Sequence, residues 1–252
     1  MKKCPKCAYE RQATDTVAEG ICAACGLVFA KWVDRTLGTA RLPRERAESH
    51  EHADSRLSLL AARLLYVESR PDAMVFWGRV AIFAVLFVWG WYFILLNYRS
   101  AEIMNSFLHR VDLVFHEAGH VFFMPFGQFM AILGGTLGQL IMPIVVIVAL
   151  IVTSNDTFGG SVGLWWLGQS LMDCAPYIAD ARALQLQLVG GGTGADRPGA
   201  HDWENILLDL NMIQHDTKIA ACVHVLGALV MLLAFAWGAY ILSRQYRNLE
   251  RD

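Results

Sequence analysis

Three long stretches of the chain carry no Asp, Glu, Lys or Arg: 80–98, 118–155 and 219–243. About 20 consecutive apolar residues cross a bilayer as a helix. The alternation of apolar runs with polar breaks predicts five membrane helices, over 76–98, 105–126, 129–153, 162–183 and 219–242. The fourth is the weakest, because it holds Gln169, Asp173 and Asp180. Pro125 and Gly127 are expected to end or kink the second. Leu59, Leu60, Leu64, Leu65 and Val67 suit a short interfacial helix over 58–68, stopped by Arg70-Pro71-Asp72. A polar loop with a glycine cluster follows the fourth helix, over 185–216.

Composition agrees with a membrane chain. Of 252 residues, 55% are hydrophobic and 17% charged, against about 25% charged in soluble domains. A net charge of -2 gives no reason to expect nucleic-acid binding. The first apolar run begins only near Phe76, so no secretory signal peptide is expected. The fold expected is an all-α polytopic membrane protein of about five membrane helices, preceded by a small Cys4 zinc ribbon. Its parts are a ribbon (1–32), a charged linker with an interfacial helix (33–73), a membrane domain (74–244) and a basic tail (245–252).

The ribbon rests on cysteine spacing. Cys4-Pro5-Lys6-Cys7 and Cys22-Ala23-Ala24-Cys25-Gly26 are separated by fourteen residues. Paired CxxC turns each present two thiolates to one point, as a structural Zn2+ requires. A redox CxxC would need a βαβ context, and two disulfides an oxidising compartment. Val28 and Phe29 are expected as a strand, and the metal as the main source of folding energy in so small a unit. Its role could be to recruit a protein partner, to sense or only to fold. Cys174 and Cys222 read as plain buried thiols.

Orientation is pulled two ways. Arg244, Arg247 and Arg251 argue for a cytosolic C-terminus. A reduced ribbon argues for a cytosolic N-terminus. Five crossings cannot satisfy both, so either one segment, the second or the fourth, is short or re-entrant, or the segment from Ser58 to Tyr66 enters the membrane; the N-terminus is expected to be cytosolic and the C-terminus is left open.

His116-Glu117-Ala118-Gly119-His120 is HExxH. On a helix its two histidines share a face and can hold one Zn2+, with Glu117 beside them as a general base toward water. The bland alternative is a pair of hydrogen-bonding bundle histidines. Ionisable groups inside a membrane helix are costly, which favours function. A catalytic zinc usually takes three protein ligands. Asp180, after Pro176, is the first candidate for the third and Asp173 the second. His201, Asp202 and Glu204 form a further cluster of alternative ligands or supporting groups, with Asp202 also read as the N-cap of a helix from Trp203. His224 reads as an interhelical hydrogen-bonder, and His215 and Asp216 as a solvated loop. Gln128, Gln139, Gln169 and Asp173 are candidates to line a hydrated cavity. Gly134, Gly135 and Gly138 allow either tight helix packing or close approach of a substrate backbone.

The segment from His116 to Pro143, with its Gly-rich second part, resembles the core of the site-2 protease family of intramembrane zinc metalloproteases. In that family the third ligand is an Asp in a later membrane helix, within a Pro-containing pattern. The comparable segment here is Gln169 to Ala181, which lacks the family's Asn and has Ala181 in place of its Gly. The resemblance implies a zinc endopeptidase that cuts membrane-spanning segments of other proteins within the bilayer, with His116, His120 and Asp180 on the metal and Glu117 as the base. The other membrane zincin type, the prenyl-protein or heat-shock protease family, would use a Glu, and here that would be Glu204. A zinc-binding scaffold or sensor is the non-enzymatic alternative.

Overall fold

The computed structural model describes residues 3–29, except 13 and 19, and residues 58–249. They fall in two compact units divided at Asp54. The stretch read as a charged linker lies largely outside the described residues, as do His50, His52 and the last three residues of the tail.

In the first unit two near-identical knuckles carry the cysteines. Ala8 N–H donates to Cys4 O, and Cys4 N–H to Tyr9 O; Gly26 N–H donates to Cys22 O, and Cys22 N–H to Leu27 O. Each knuckle turns on a residue with positive φ, Ala8 at 61° and Gly26 at 69°. Glycine adopts that conformation freely, whereas alanine does so at a cost. The expected strand at Val28 and Phe29 is only a single bridge, between Ile21 and Val28. Arg11 braces the intervening loop through the carbonyls of Val17, Ala18 and Ile21.

The second unit is helical. Residues 58–64 form a short helix. Then follow α1 (Ala73–Leu95), α2 (Phe107–Phe123), α3 (Gln128–Thr153), α4 (Thr157–Ala179), α5 (Asp202–Asp209) and α6 (Asp216–Leu249). Asp72, Ser106 and Asp156 cap the starts of α1, α2 and α4 by accepting a backbone N–H three residues on. α2 gives way to a short 3-10 turn containing Pro125 and then to Gly127, whose φ of 100° only glycine takes readily. Helices stand at all five expected positions, and among the described residues three regions are long and apolar enough to cross a membrane: Ala73–Leu95, Gln128–Thr153 and Ile213–Leu249. α2 has 17 residues, too few. α4 is long enough but too polar, and it compensates by being the most enclosed helix, with Gln169, Ser170 and Asp173 all buried.

Phe93, Trp165, Met172, Met231 and Phe235 form the main apolar core between α1, α4 and α6. Close approach of backbones does the rest. A Cβ on Gly168 would meet Gly227 O, and one on Gly119 would overlap Gly134 O, so α4 and α6, and α2 and α3, pack through small residues.

One end of the bundle gathers distant parts of the chain. Trp237 Nε1 donates to Leu64 O (2.9 Å), Thr157 Oγ1 to Tyr66 O (2.7 Å) and Asn248 Nδ2 to Glu68 O (2.8 Å). At the opposite end Arg182 clasps Asp216 through two nitrogens, at 2.8 and 2.7 Å. Asp216 is therefore buried rather than part of a solvated loop. The segment entering α1 and the C-terminal end of α6 thus lie at the same end of the unit.

Candidate metal centre

His116 and His120 stand one turn apart on α2, with ring centroids 4.8 Å apart. Each ring is steered by a hydrogen bond from Nδ1. That of His116 reaches Gln139 Oε1 on α3 at 2.9 Å, and that of His120 reaches Ala131 O at 2.8 Å. Gln139 is itself fixed, because its amide nitrogen donates to Ser170 O and toward Cys174 Sγ. With both Nδ1 atoms committed, both Nε2 atoms face the same point. Such outer partners set ring tautomer and direction in metal sites.

The third group at that point is Asp202. Its Oδ2 lies 3.0 Å from His116 Nε2 and 3.4 Å from His120 Nε2. The three side chains form a group with every ligating atom within 4.8 Å of the others. Asp202 is supported by Tyr177 of α4. Its backbone N–H donates to the phenol oxygen (3.1 Å), and the phenol donates to Oδ2 (3.4 Å). Burial opposes ionisation of Asp202, but hydrogen bonds from His116 and His120 outweigh it and hold the carboxyl at about 2. Gly135 completes the cradle: a Cβ there would run into Nε2 of both imidazoles.

The donor set fits a small tetrahedral cation. Ligand bonds of ~2.0–2.1 Å put tetrahedral ligand atoms roughly 3.3 Å apart; two of the three separations here are 3.0 and 3.4 Å, and the third is within 4.8 Å. In the N-terminal unit Cys4 and Cys25, and Cys7 and Cys22, have sulfurs 3.7 Å apart. Metal–sulfur bonds of ~2.3 Å give an edge of roughly 3.8 Å. All four sulfurs belong to a second potential metal group. Burial opposes ionisation of Cys4, but the backbone N–H groups of Cys7 and Lys6 outweigh it and bring the thiol down to about 6.

Asp180, expected as third ligand, is not in the imidazole group. Its two oxygens accept the backbone N–H groups of Gln185 and Leu186, at 3.0 and 2.9 Å, and so shape the loop after α4. Asp202 takes the place expected of it. The helix cap assigned to Asp202 belongs instead to His201, whose Nδ1 accepts Glu204 N–H (3.2 Å). His201 is wholly buried, stacks 4.2 Å from Tyr177 and points Nε2 toward Asp180, 3.5 Å away. Asp180 and His201 are thus scaffolding behind the ligand that Tyr177 holds. Glu204 is outside the group as well.

The centre opens into a cavity of about 370 Å³ lined by Glu117, Gln139, Asp173, Tyr177 and Arg197 among others. Asp173, the second ligand candidate, faces this cavity paired with His109, whose Nδ1 lies 2.9 Å from it. Asp112, buried one turn on, accepts from Trp166 Nε1 (2.8 Å). The sequence did carry a signal for His109, which sits seven residues before His116 and so on the same helical face. Cys174 is buried as expected, Cys222 is exposed, and His224 reaches Ile94 O from α6 (3.4 Å).

No protein-family model, no curated protein and no solved structure matches the chain.

Proposed function

We propose that this protein is an intramembrane zinc endopeptidase of the site-2 type, with a second, structural zinc held by Cys4, Cys7, Cys22 and Cys25. The observation that carries the reading is the convergence of His116, His120 and Asp202 on one point beside Glu117, within a cavity of a helical bundle. Two imidazoles and one carboxylate are a common ligand set of hydrolytic zinc, and they leave a position open. In this reading α1, α3, α4 and α6 cross the bilayer and α2 enters without crossing. Four crossings reconcile a cytosolic ribbon with a cytosolic basic C-terminus, and the shared end of Leu64, Glu68, Trp237 and Asn248 supports that count.

The bound zinc would supply Lewis acidity toward water and the substrate carbonyl. Glu117 takes the proton of the attacking water and delivers it to the leaving amine nitrogen. Gln139 and Ala131 hold the two rings in register, and Tyr177 holds Asp202. The substrate is a membrane-spanning segment of another protein, unwound locally so that its peptide bond enters the cavity. The exclusion of Glu204 from the cluster removes the feature that would favour a prenyl-protein protease type.

The test is the full chain in proteoliposomes with a pool of single-span peptides, read for fragments by mass spectrometry. Fragments are expected from the wild type, and none from Glu117→Gln at equal metal content. Identical fragment patterns in the two would overturn the reading.

A further inference from the structure

Two hollows meet at one ion pair, at the end of α1 where Arg79 lies. The first is an apolar cleft of about 480 Å³ between α1 and α3, floored by α4, with Leu86 and Val146 on its walls. The second is a polar pocket of about 210 Å³ at the bundle end where Tyr66, Glu68 and Gln245 gather. Arg79 and Asp156 line both. Their separation is 3.1 Å. Asp156 also caps α4 through Gly159 N–H.

The chemistry along this path changes in the order of a phospholipid. The cleft is open on its side and lined by hydrocarbon. Arg79 then presents a guanidinium with five N–H donors, of which Asp156 occupies one terminal nitrogen. Beyond it the pocket is acceptor-rich. The exposed Glu68 is one of its lining residues, and Gln245, only 3% exposed, lines the pocket with an Oε1 that has no protein partner. A buried acceptor without a donor is costly, and a bound headgroup bearing N–H groups is one way to satisfy it. The depth also fits, because Trp77, Trp237 and Tyr246 sit near this end, as aromatic residues do at membrane interfaces.

We propose that the cleft and pocket form a site for one molecule of an aminophospholipid of the phosphatidylethanolamine class. An acyl chain fills the cleft, the phosphate meets Arg79, and the ammonium donates to Gln245 Oε1 and Glu68. With Asp156 and Glu68 against one Arg79, the polar pocket carries a net negative charge and selects a zwitterionic headgroup over an anionic one. Choline, which has no N–H, leaves Gln245 unsatisfied.

Native mass spectrometry of the delipidated full chain in detergent tests this, using phosphatidylethanolamine, phosphatidylcholine, phosphatidylglycerol and diacylglycerol of identical chains. The expected result is one saturable phosphatidylethanolamine adduct, favoured about tenfold or more over each other lipid, as a charge-assisted hydrogen bond implies. Gln245→Leu, which removes the unpartnered Oε1, should erase the preference over phosphatidylcholine. Val146→Trp, which fills the cleft, should weaken every lipid alike. Equal binding of phosphatidylethanolamine and phosphatidylcholine by the wild type would overturn the headgroup assignment. A cleft that takes up single-span peptides and no lipid would overturn the site.

Discussion

Asp202 Oδ2 lies 3.0 Å from His116 Nε2, although the two residues are 86 positions apart. One belongs to a short helix after a glycine-rich loop and the other to α2, and Tyr177 of α4 lies against both. Asp202→Ala should abolish metal binding at the histidine site, whereas Asp180→Asn should leave metal content intact and loosen the loop at Gln185 and Leu186. Metal content per chain, with the ribbon's own ion subtracted using a Cys4→Ser/Cys7→Ser variant, decides between them. Loss of metal in Asp180→Asn and not in Asp202→Ala would reverse the assignment.

Gln139 touches no metal position itself; it orients His116. Gln139→Leu should lower affinity at that site by about 10–100-fold, the usual effect of losing an outer partner. Competition with a chelator of known affinity measures it, and unchanged affinity would mean that the ring is held by packing alone.

Gly135 lies beneath both imidazoles. Gly135→Ala should displace the rings and reduce metal content without unfolding the bundle. Gly78 is a control, because a Cβ there meets nothing within 4 Å. Gly78→Ala should leave metal content unchanged and gain up to about 1 kcal/mol of helix propensity. A thermal scan of both variants in detergent, paired with metal analysis, checks the contrast.

Glu117 is exposed in the cavity rather than bonded into the scaffold. Glu117→Gln should reduce turnover by about 10²–10⁴-fold, the range for positioned general acid–base groups, with metal retained. Parallel loss of activity and metal would instead make Glu117 a structural group.

Ala8 occupies a positive-φ position that its counterpart fills with Gly26. Ala8→Gly should relieve up to about 1–2 kcal/mol of backbone strain and slow chelator-driven metal loss from the cysteine site of the full chain. Faster loss would show that the knuckle tolerates alanine without strain.

The two HExxH histidines and the four cysteines were legible in the sequence because their geometry is local: one helical turn, or one tight knuckle. The third ligand was not. Asp180 ends α4 and Asp202 lies beyond the polar loop that follows it, and nothing in linear spacing reveals that the loop between them folds back so that one carboxylate binds backbone N–H groups while the other meets the imidazoles. The N-cap reading of Asp202 failed by a single residue, because a buried imidazole can accept the capping N–H as well as a carboxylate can. Hydropathy placed the helices to within seven residues, yet three regions of the described chain, not five, are long and apolar enough to cross a membrane. It registers apolar runs and is blind to helix length and to neighbours that shelter polar side chains.

The shelter around α4 bears on how the chain is built. Taken alone, a helix holding Gln169, Ser170 and Asp173 partitions poorly into hydrocarbon. Its stable home exists only once α3 and α6 flank it. Synthesis therefore delivers α4 before one of its walls, so its final seating waits for the C-terminal segment, and chains cut short ahead of Asp216 are expected to be rejected by the membrane's quality control.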